Sequence, residues 1–133
     1  SPDYLEKFGE PTSLSDLETH KMVGIWPMST GAVLPLDFIV KDQIKSLRPP
    51  SQVSVNGPES YRLSTLLGFG LAQMPLFHID EDLRLGRLNQ VLAKHDVPSV
   101  PVSLLYPRSR QLSARVRVFI DWAVQSFQDD RFM

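Results

Sequence analysis

The segment from residue 55 to residue 75 constrains the fold more than any other part of this chain. Its sequence, V-N-G-P-E-S-Y-R-L-S-T-L-L-G-F-G-L-A-Q-M-P, predicts a strand end, a tight turn, a helix beginning at Pro58, a stop at Gly68 and a second strand over residues 69–74. The turn aims backbone N–H groups beyond the strand, and a helix N-terminus carries about half a unit of positive charge. Such a turn either forms one wall of a small-ligand site on a βαβ layer or only connects two elements.

The rest of the chain alternates predicted strands with predicted helices. A short helix follows Ser1 and ends at Gly9, and a C-terminal helix begins after Ser113. The residues on the apolar face of that last helix are Val116, Phe119, Ile120, Ala123 and Phe127. Because this helix has no obvious sheet of its own, the chain resembles one and a half domains.

Predicted strands cover residues 22–26, 33–40, 52–55, 88–92 and 102–106. Pro35 places the second of them at a sheet edge. We expect a polar connector at residues 41–51, a short helix at 76–79 and a crossing between subdomains at 94–101. The alternation predicts an α/β fold with mixed strand directions.

Composition excludes several classes of protein. The chain has 133 residues, 42% hydrophobic and 22% charged, which suits a globular domain with a core. Fourteen basic residues nearly balance fifteen acidic ones, so no net charge draws the chain to nucleic acid or to a membrane surface. It has no cysteine and no apolar run of about 18 residues that could span a membrane. The first residues lack the character of a signal peptide, so we expect a cytoplasmic protein.

Neither group of histidines and carboxylates has the spacing of a catalytic or metal site. His20 lies near Asp16 and Glu18, and His78 lies near the acidic run 80–82, but neither group matches H-x-x-x-H or H-E-x-x-H. No G-x-S-x-G elbow and no phosphate-binding G-x-x-x-x-G-K-[ST] loop occurs. We therefore predict no catalytic residue, no metal site, no cofactor and no enzyme activity, and we expect the acidic run to be a solvated helix edge.

Six fragments, in order and at matching spacing, resemble a single family. Residues 1–11, S-P-D-Y-L-E-K-F-G-E-P, are similar to ASPxYLxxHGxP, with Phe8 where a histidine is common. Residues 16–22 resemble DLxxHxC with Met22 in place of the cysteine, residues 55–59 resemble VNDxEA, and residues 68–75 resemble GxGIAxLP. Residues 86–88 match the start of GRLVxVL, and residues 106–121 resemble YPxxRxLSPKVRAFVDFL. The chain thus resembles the C-terminal part of the effector-binding domain of LysR-type transcriptional regulators.

This resemblance implies an effector domain of two α/β subdomains, similar to type 2 periplasmic binding proteins, with the ligand between them. Residues 1–97 would form the second subdomain with its mixed sheet. Residues 98–133 would supply the crossover, a returning strand and the C-terminal helix of an incomplete first subdomain. The resemblance also implies a homo-oligomer, a dimer or tetramer, that contacts DNA only through an N-terminal helix-turn-helix absent from this sequence.

In this family the second subdomain contributes two loops to the ligand cleft. The corresponding residues here are Trp26, Pro27, Ser29 and Thr30 in the first loop, and Asn56, Gly57 and Pro58 in the second. Trp26 offers a flat wall to an aromatic ligand, but it is equally compatible with a packing role, and Asn56 is also a common turn residue. Pro58 replaces a more usual polar residue and removes a backbone donor, which weakens an anion site. Phe69, Met74 and Phe77 are expected in the core.

The expected function is therefore to sense a small organic effector, carboxylate or aromatic, and to relay its binding to the geometry of the oligomer. The first alternative is a solute-binding receptor of a transport system on a related bilobal fold. A helix-turn-helix upstream would exclude that alternative, whereas a signal peptide or lipid anchor would support it. The second alternative, an enzyme on the same fold, would need a cofactor site that the sequence does not show.

Overall fold

The computed structural model describes residues 1–27, 30–99, 101, 103–106 and 113–128. It divides into one compact unit over Ser1–Pro98 and a second over Ser99–Met133. The helices are α1 (Pro2–Phe8), α2 (Pro58–Leu66), α3 (Asp80–Arg84) and α4 (Ala114–Gln128), with 3₁₀ turns at Asp16–Glu18 and Leu76–His78. The strands are β1 (Met22–Ile25), β2 (Leu36–Val40), β3 (Gln43–Leu47) and β4 (Ser51–Val55). That the two units are the second and first subdomains remains a prediction.

Strand β1 lies at the centre of the first unit. It pairs in parallel with β4 on one side. On its other side Val23 N–H donates to Leu71 O at 2.8 Å, and Leu71 N–H donates to Lys21 O at 2.9 Å. Gly70 makes this approach possible, since a Cβ there would lie 2.5 Å from Lys21 O. With α2 between β4 and Leu71, this is the parallel crossover that the sequence predicts.

The predicted strand over residues 69–74 is shorter than expected. Of residues 69–74, only Leu71 pairs with β1, as a single bridge to Met22. Gly68, at φ 78°, ends α2 in a Schellman motif, in which Gly68 N–H donates to Thr65 O and Phe69 N–H donates to Ser64 O. This turn leaves Phe69 41% exposed, so its expected place in the core is wrong.

Two other sequence expectations for the first unit are wrong. Residues 41–51 are not only a connector, because Gln43–Leu47 forms β3 and pairs antiparallel with β2. The turn between them uses Lys41 and Asp42 at φ 52° and 59°, a backbone region usually left to glycine or asparagine. The predicted strand over residues 88–92 has no regular structure.

The side chain of Gln73 ties the β2–β3 hairpin to the rest of the unit. Its Oε1 accepts from Asp37 N–H at 2.9 Å, and its Nε2 donates to Asp37 O at 2.8 Å. The amide thereby makes the two hydrogen bonds that a neighbouring strand would make. The backbone N–H of Gln73 donates to the hydroxyl of Tyr61 at 3.1 Å, and burial raises the pKa of that tyrosine.

Buried apolar residues from α1, β1 and β2 form the core. They are Tyr4, Leu17, Met22, Leu36, Phe38 and Leu71. Each fully buried side chain of this size contributes about 1.5–3 kcal/mol relative to exposure. Tyr4 also fixes α1 against β1, because its hydroxyl accepts from Lys21 N–H at 3.0 Å and lies 3.1 Å from His20 Nδ1. Met22, where the family pattern has cysteine, is 2% exposed and packs here.

Asp82 also differs from expectation, since it is 1% exposed and not part of a solvated edge. Its carboxylate accepts from Arg62 Nε and Nη2, the latter at 2.9 Å, and from Arg87 Nε at 2.7 Å. Gly86 ends α3 in a second Schellman motif, in which Arg87 N–H donates to Asp82 O at 2.8 Å. Arg87 therefore binds Asp82 through both its backbone N–H and its side chain. In a Schellman motif these two positions usually make an apolar contact, and here they form an ion pair instead.

The second unit is described chiefly by α4. Ser113 caps it as predicted, with Val116 N–H donating to Ser113 Oγ at 3.4 Å. Val116 and Phe119 are 40% and 57% exposed, whereas Ala123 is buried, so the predicted apolar face is only partly covered. Of the predicted strand over residues 102–106, Val102 lies outside the described residues and residues 103–106 have no regular structure.

Candidate functional site

The two predicted site loops lie side by side at one edge of the parallel sheet. Strands β1 and β4 end at the paired residues Ile25 and Val55. Directly beyond them, Trp26 N–H donates to Val55 O at 2.7 Å. In open α/β folds, ligands bind beyond the carboxyl ends of parallel strands, and both loops begin there. The crossover therefore brings together residues about thirty positions apart in the sequence.

Trp26 and Asn56 are the first residues after the ends of β1 and β4, and both are exposed. Gly24 and Ser54 are register partners, and a Cβ on Gly24 would lie 2.5 Å from Ser54 Oγ, so their side-chain positions share a face. Trp26 is 50% exposed, which excludes a core role within this unit.

The first loop contributes fewer donors than its sequence suggests. Thr30 N–H donates to Pro27 O at 3.1 Å, which closes a turn. The Thr30 hydroxyl faces Pro27 O at 3.2 Å and Ala32 O at 3.1 Å. Its single hydrogen is thus used within the loop, and only its lone pairs remain for a ligand. Ser29 lies outside the described residues.

The second loop begins α2 without an effective anion site. Gly57 is the N-cap at φ −125° and ψ 146°, an extended conformation, and Tyr61 N–H donates to its carbonyl at 3.0 Å. Pro58 has no N–H, and Glu59 places a carboxylate in the first turn, where it already interacts favourably with the helix dipole. The exposed Asn56 amide makes no hydrogen bond within the described ranges, so it is available to a ligand.

Sequence reasoning missed one charged residue beside the first loop. Arg48 Nη1 donates to Val33 O at 2.9 Å. The next residue, Leu34, donates its N–H to Ile25 O at 2.9 Å, so the chain returns to the end of β1 after the loop. No local pattern marks Arg48, because its partner lies fifteen residues away.

A separate, partly open pocket of about 290 Å³ is lined by residues of the first unit. Leu36, Phe38 and Leu71 form part of its mainly apolar wall, and the buried Ser1 Oγ has no hydrogen-bond partner within the described residues. None of the predicted site residues lines it. Phe77, expected in the core, is 59% exposed, while Met74 is half-buried and lines this pocket.

In the parts of the chain that the structure describes, no three histidines or carboxylates lie close enough together to hold a metal ion. Within the same residues, no helix is both long enough and apolar enough to cross a membrane.

Comparison with known proteins gives one consistent result. The family model described as LysR substrate binding domain matches residues 1–128. The chain is 37% identical to the uncharacterized HTH-type transcriptional regulator YhjC of Escherichia coli K12 over 124 residues. The match covers 92% of this chain and 41% of that relative.

Solved structures show the same fold. The structure of CrgA, a LysR-type transcriptional regulator from Neisseria meningitidis, superposes with a TM-score of 0.69 at 25% identity, and the match covers 95% of this chain and 42% of that one. The regulatory domain of AphB from Vibrio vulnificus, treated with cumene hydroperoxide, superposes with a TM-score of 0.71 at 23% identity. That match covers 94% of this chain and 62% of the AphB chain. The chain therefore spans about two fifths of the length of the full regulators to which it is similar.

Proposed function

Since the chain belongs to the LysR substrate-binding domain family, we propose that it is part of the effector-sensing module of a transcriptional regulator. It binds a small organic molecule and relays that binding to the packing of an oligomer. The family match and the regulators among its relatives do not favour a transport receptor. The role proposed is binding without catalysis, in the cytoplasm, with DNA contacted by a part of the protein outside this sequence.

The location of the proposed site is based on one observation. Strands β1 and β4 pair in parallel, and the Trp26–Val55 hydrogen bond holds the two loops that follow these strands next to each other. The proposed effector-binding residues are Trp26, Pro27, Ser29, Thr30, Asn56, Gly57 and Pro58. The first unit supplies this wall of the site. An effector shifts the regulator only by its differential affinity for the two arrangements of its subunits.

The test is a screen of small organic acids and aromatics by NMR chemical-shift perturbation. It uses this chain and a version extended upstream. A bound compound should shift the amides of both loops and should bind more tightly to the extended version. Asn56→Ala should weaken binding about 2- to 10-fold, the value of one hydrogen bond.

Asn89→Ala is the matched control, since Asn89 is also an exposed asparagine but lies outside both loops. Equal affinity losses in the two variants, or shifts confined to other parts of the chain, would contradict the proposed site.

A further inference from the structure

A carboxylate bound at this wall would need a positive partner, and the N-terminus of α2 does not supply one. Pro58 lacks the N–H that an anion would use, and the Glu59 side chain brings a negative charge to the same turn. Arg62 interacts with Glu59 at 2.9 Å and is also bound by Asp82. The positive charge of Arg62, which lies in α2 itself, is therefore already neutralised.

Arg48 is connected by hydrogen bonds to the end of β1, where the first loop begins. Its guanidinium binds Val33 O, and the next peptide N–H binds Ile25 O, which belongs to the peptide group of Trp26. Two hydrogen bonds and two planar peptide groups thus connect the guanidinium to the Trp26 backbone. At ordinary dimensions this places them within about 10 Å of each other.

The charge of Arg48 is held in place but not neutralised. Its one hydrogen-bond partner in the described structure is a neutral carbonyl, whereas Arg62 and Arg87 bind carboxylates. Asp37 lies across the hairpin, but its carboxylate accepts from Ser46 Oγ. A guanidinium oriented by one neutral bond keeps donors for a planar anion, which it binds in a bidentate geometry.

We propose that the effector is an aromatic carboxylate, with its ring against Trp26 and its carboxylate on Arg48. This inference rests on the proposed function, and it specifies which class of effector the site takes. It also moves the anion away from the N-terminus of α2, toward the hairpin side of the sheet edge. Asn56 remains free to hydrogen-bond a substituent on the ring.

The charge at Trp26 can be measured without knowing the effector. The chain has two tryptophans, so Trp122→Phe leaves Trp26 as the sole indole reporter. Its fluorescence is quenched with iodide, caesium or neutral acrylamide at constant total ionic strength, because salt screens the effect. The measured quantity is the ratio of the iodide quenching constant to the acrylamide quenching constant. We expect this ratio to be higher for Trp26 than for free N-acetyltryptophanamide.

Variants identify the source of the charge. Arg48→Gln should lower the iodide-to-acrylamide ratio about 1.5-fold and raise the caesium ratio, as expected for one charge near 10 Å in a screened, water-rich environment. Arg48→Lys should retain the ratio. Arg84→Gln removes the same charge from an exposed arginine at the end of α3 and should leave the ratio unchanged.

Benzoate and benzamide then test the ligand class. Benzoate should protect Trp26 from iodide better than benzamide in the parent, and this preference should disappear in Arg48→Gln. An iodide ratio unaffected by Arg48→Gln, or equal protection by the two compounds at concentrations where each measurably protects Trp26, would overturn the proposal. The quenching measurement reports the charge whether or not any effector closes the domain. A failure of the proposed function would instead appear as an Arg48-dependent ratio with no effector response in the complete regulator.

Discussion

Replacing Asp82 with asparagine should destabilise the first unit by about 3 kcal/mol. Asp82 is 1% exposed and binds Arg62, which is 21% exposed, and Arg87, which is 45% exposed. Breaking a buried pair costs about 3–5 kcal/mol, and the half-exposed Arg87 adds little, so the low end applies. Asparagine keeps the volume, but it replaces one acceptor oxygen with a donor that faces an arginine.

The same carboxylate predicts a pH dependence. The hydrogen bond from Arg62, followed by that from Arg87, holds the pKa of Asp82 below its ordinary value. A depressed folded-state pKa stabilises the protein above the unfolded-state pKa near 4, and this stabilisation is lost as the pH falls through the folded-state pKa. In that window the unfolding free energy should rise with pH through Asp82, and the Asp82→Asn variant should lack this contribution.

Urea unfolding followed by circular dichroism from pH 7 to pH 2 measures both effects. The difference in unfolding free energy between parent and Asp82→Asn should be largest at pH 7 and should shrink below pH 4. Asp80→Asn is the control, because Asp80 is exposed in the first turn of α3 and should cost less than about 1 kcal/mol. If the two variants lose the same stability at pH 7, or if the Asp82 difference does not change with pH, the buried ion pair is not the cause.

Three further predictions concern other parts of the first unit. Gly70→Ala should lower the unfolding free energy measured in urea by about 2–4 kcal/mol, because Gly70 has φ 156° and a Cβ there would lie 2.5 Å from a backbone oxygen. Gly57→Ala is the control and should cost under about 1 kcal/mol, since Gly57 has φ −125°. Equal losses would contradict this. The pKa of Asp16 measured by NMR should be about 2, because hydrogen bonds from the Thr12 N–H and then from Ser13 stabilise the charged carboxylate. A titration midpoint near 4 would exclude those hydrogen bonds. Asp42→Gly should stabilise by about 0.5–1 kcal/mol by relieving φ 59°, and a loss of stability would show that the turn differs.

Local sequence patterns were sufficient to predict the elements that build the site wall. Pro58 and Gly68 marked both ends of α2, and the apolar run at residues 22–26 marked β1. These features depend on backbone preferences of single residues, which act at short range. The family resemblance supplied the family assignment, and the family model that matches residues 1–128 confirms it.

Strand β3 was missed because its pairing is not visible in its own sequence. Gln43–Leu47 is exposed except for its last residue, so no apolar alternation marks it. Its turn has Lys41 and Asp42 where a hairpin signature would have asparagine and glycine. Its register with β2 is what makes it a strand, and register is a property of two segments.

Charged residues with distant partners were the other failure. Asp82 was expected to be solvated because its neighbours in sequence are acidic, but Arg62 reaches it from twenty residues away. Only Arg87 had a usable local marker, since Gly86 ends α3 and a Schellman motif returns the following residue to the last turn. Arg48 had none.

The position of the β2–β3 hairpin also orders the events of folding. Residues 26–50 must close into a loop before β1 can pair with β4, and the hairpin lies within that loop. Isolated hairpins form in about 1–10 μs, and one that forms early shortens the flexible length still to be closed. The turn residue Asp42 should therefore control how fast the chain folds. We expect Asp42→Gly to accelerate refolding in stopped-flow measurements while leaving the unfolding rate nearly unchanged.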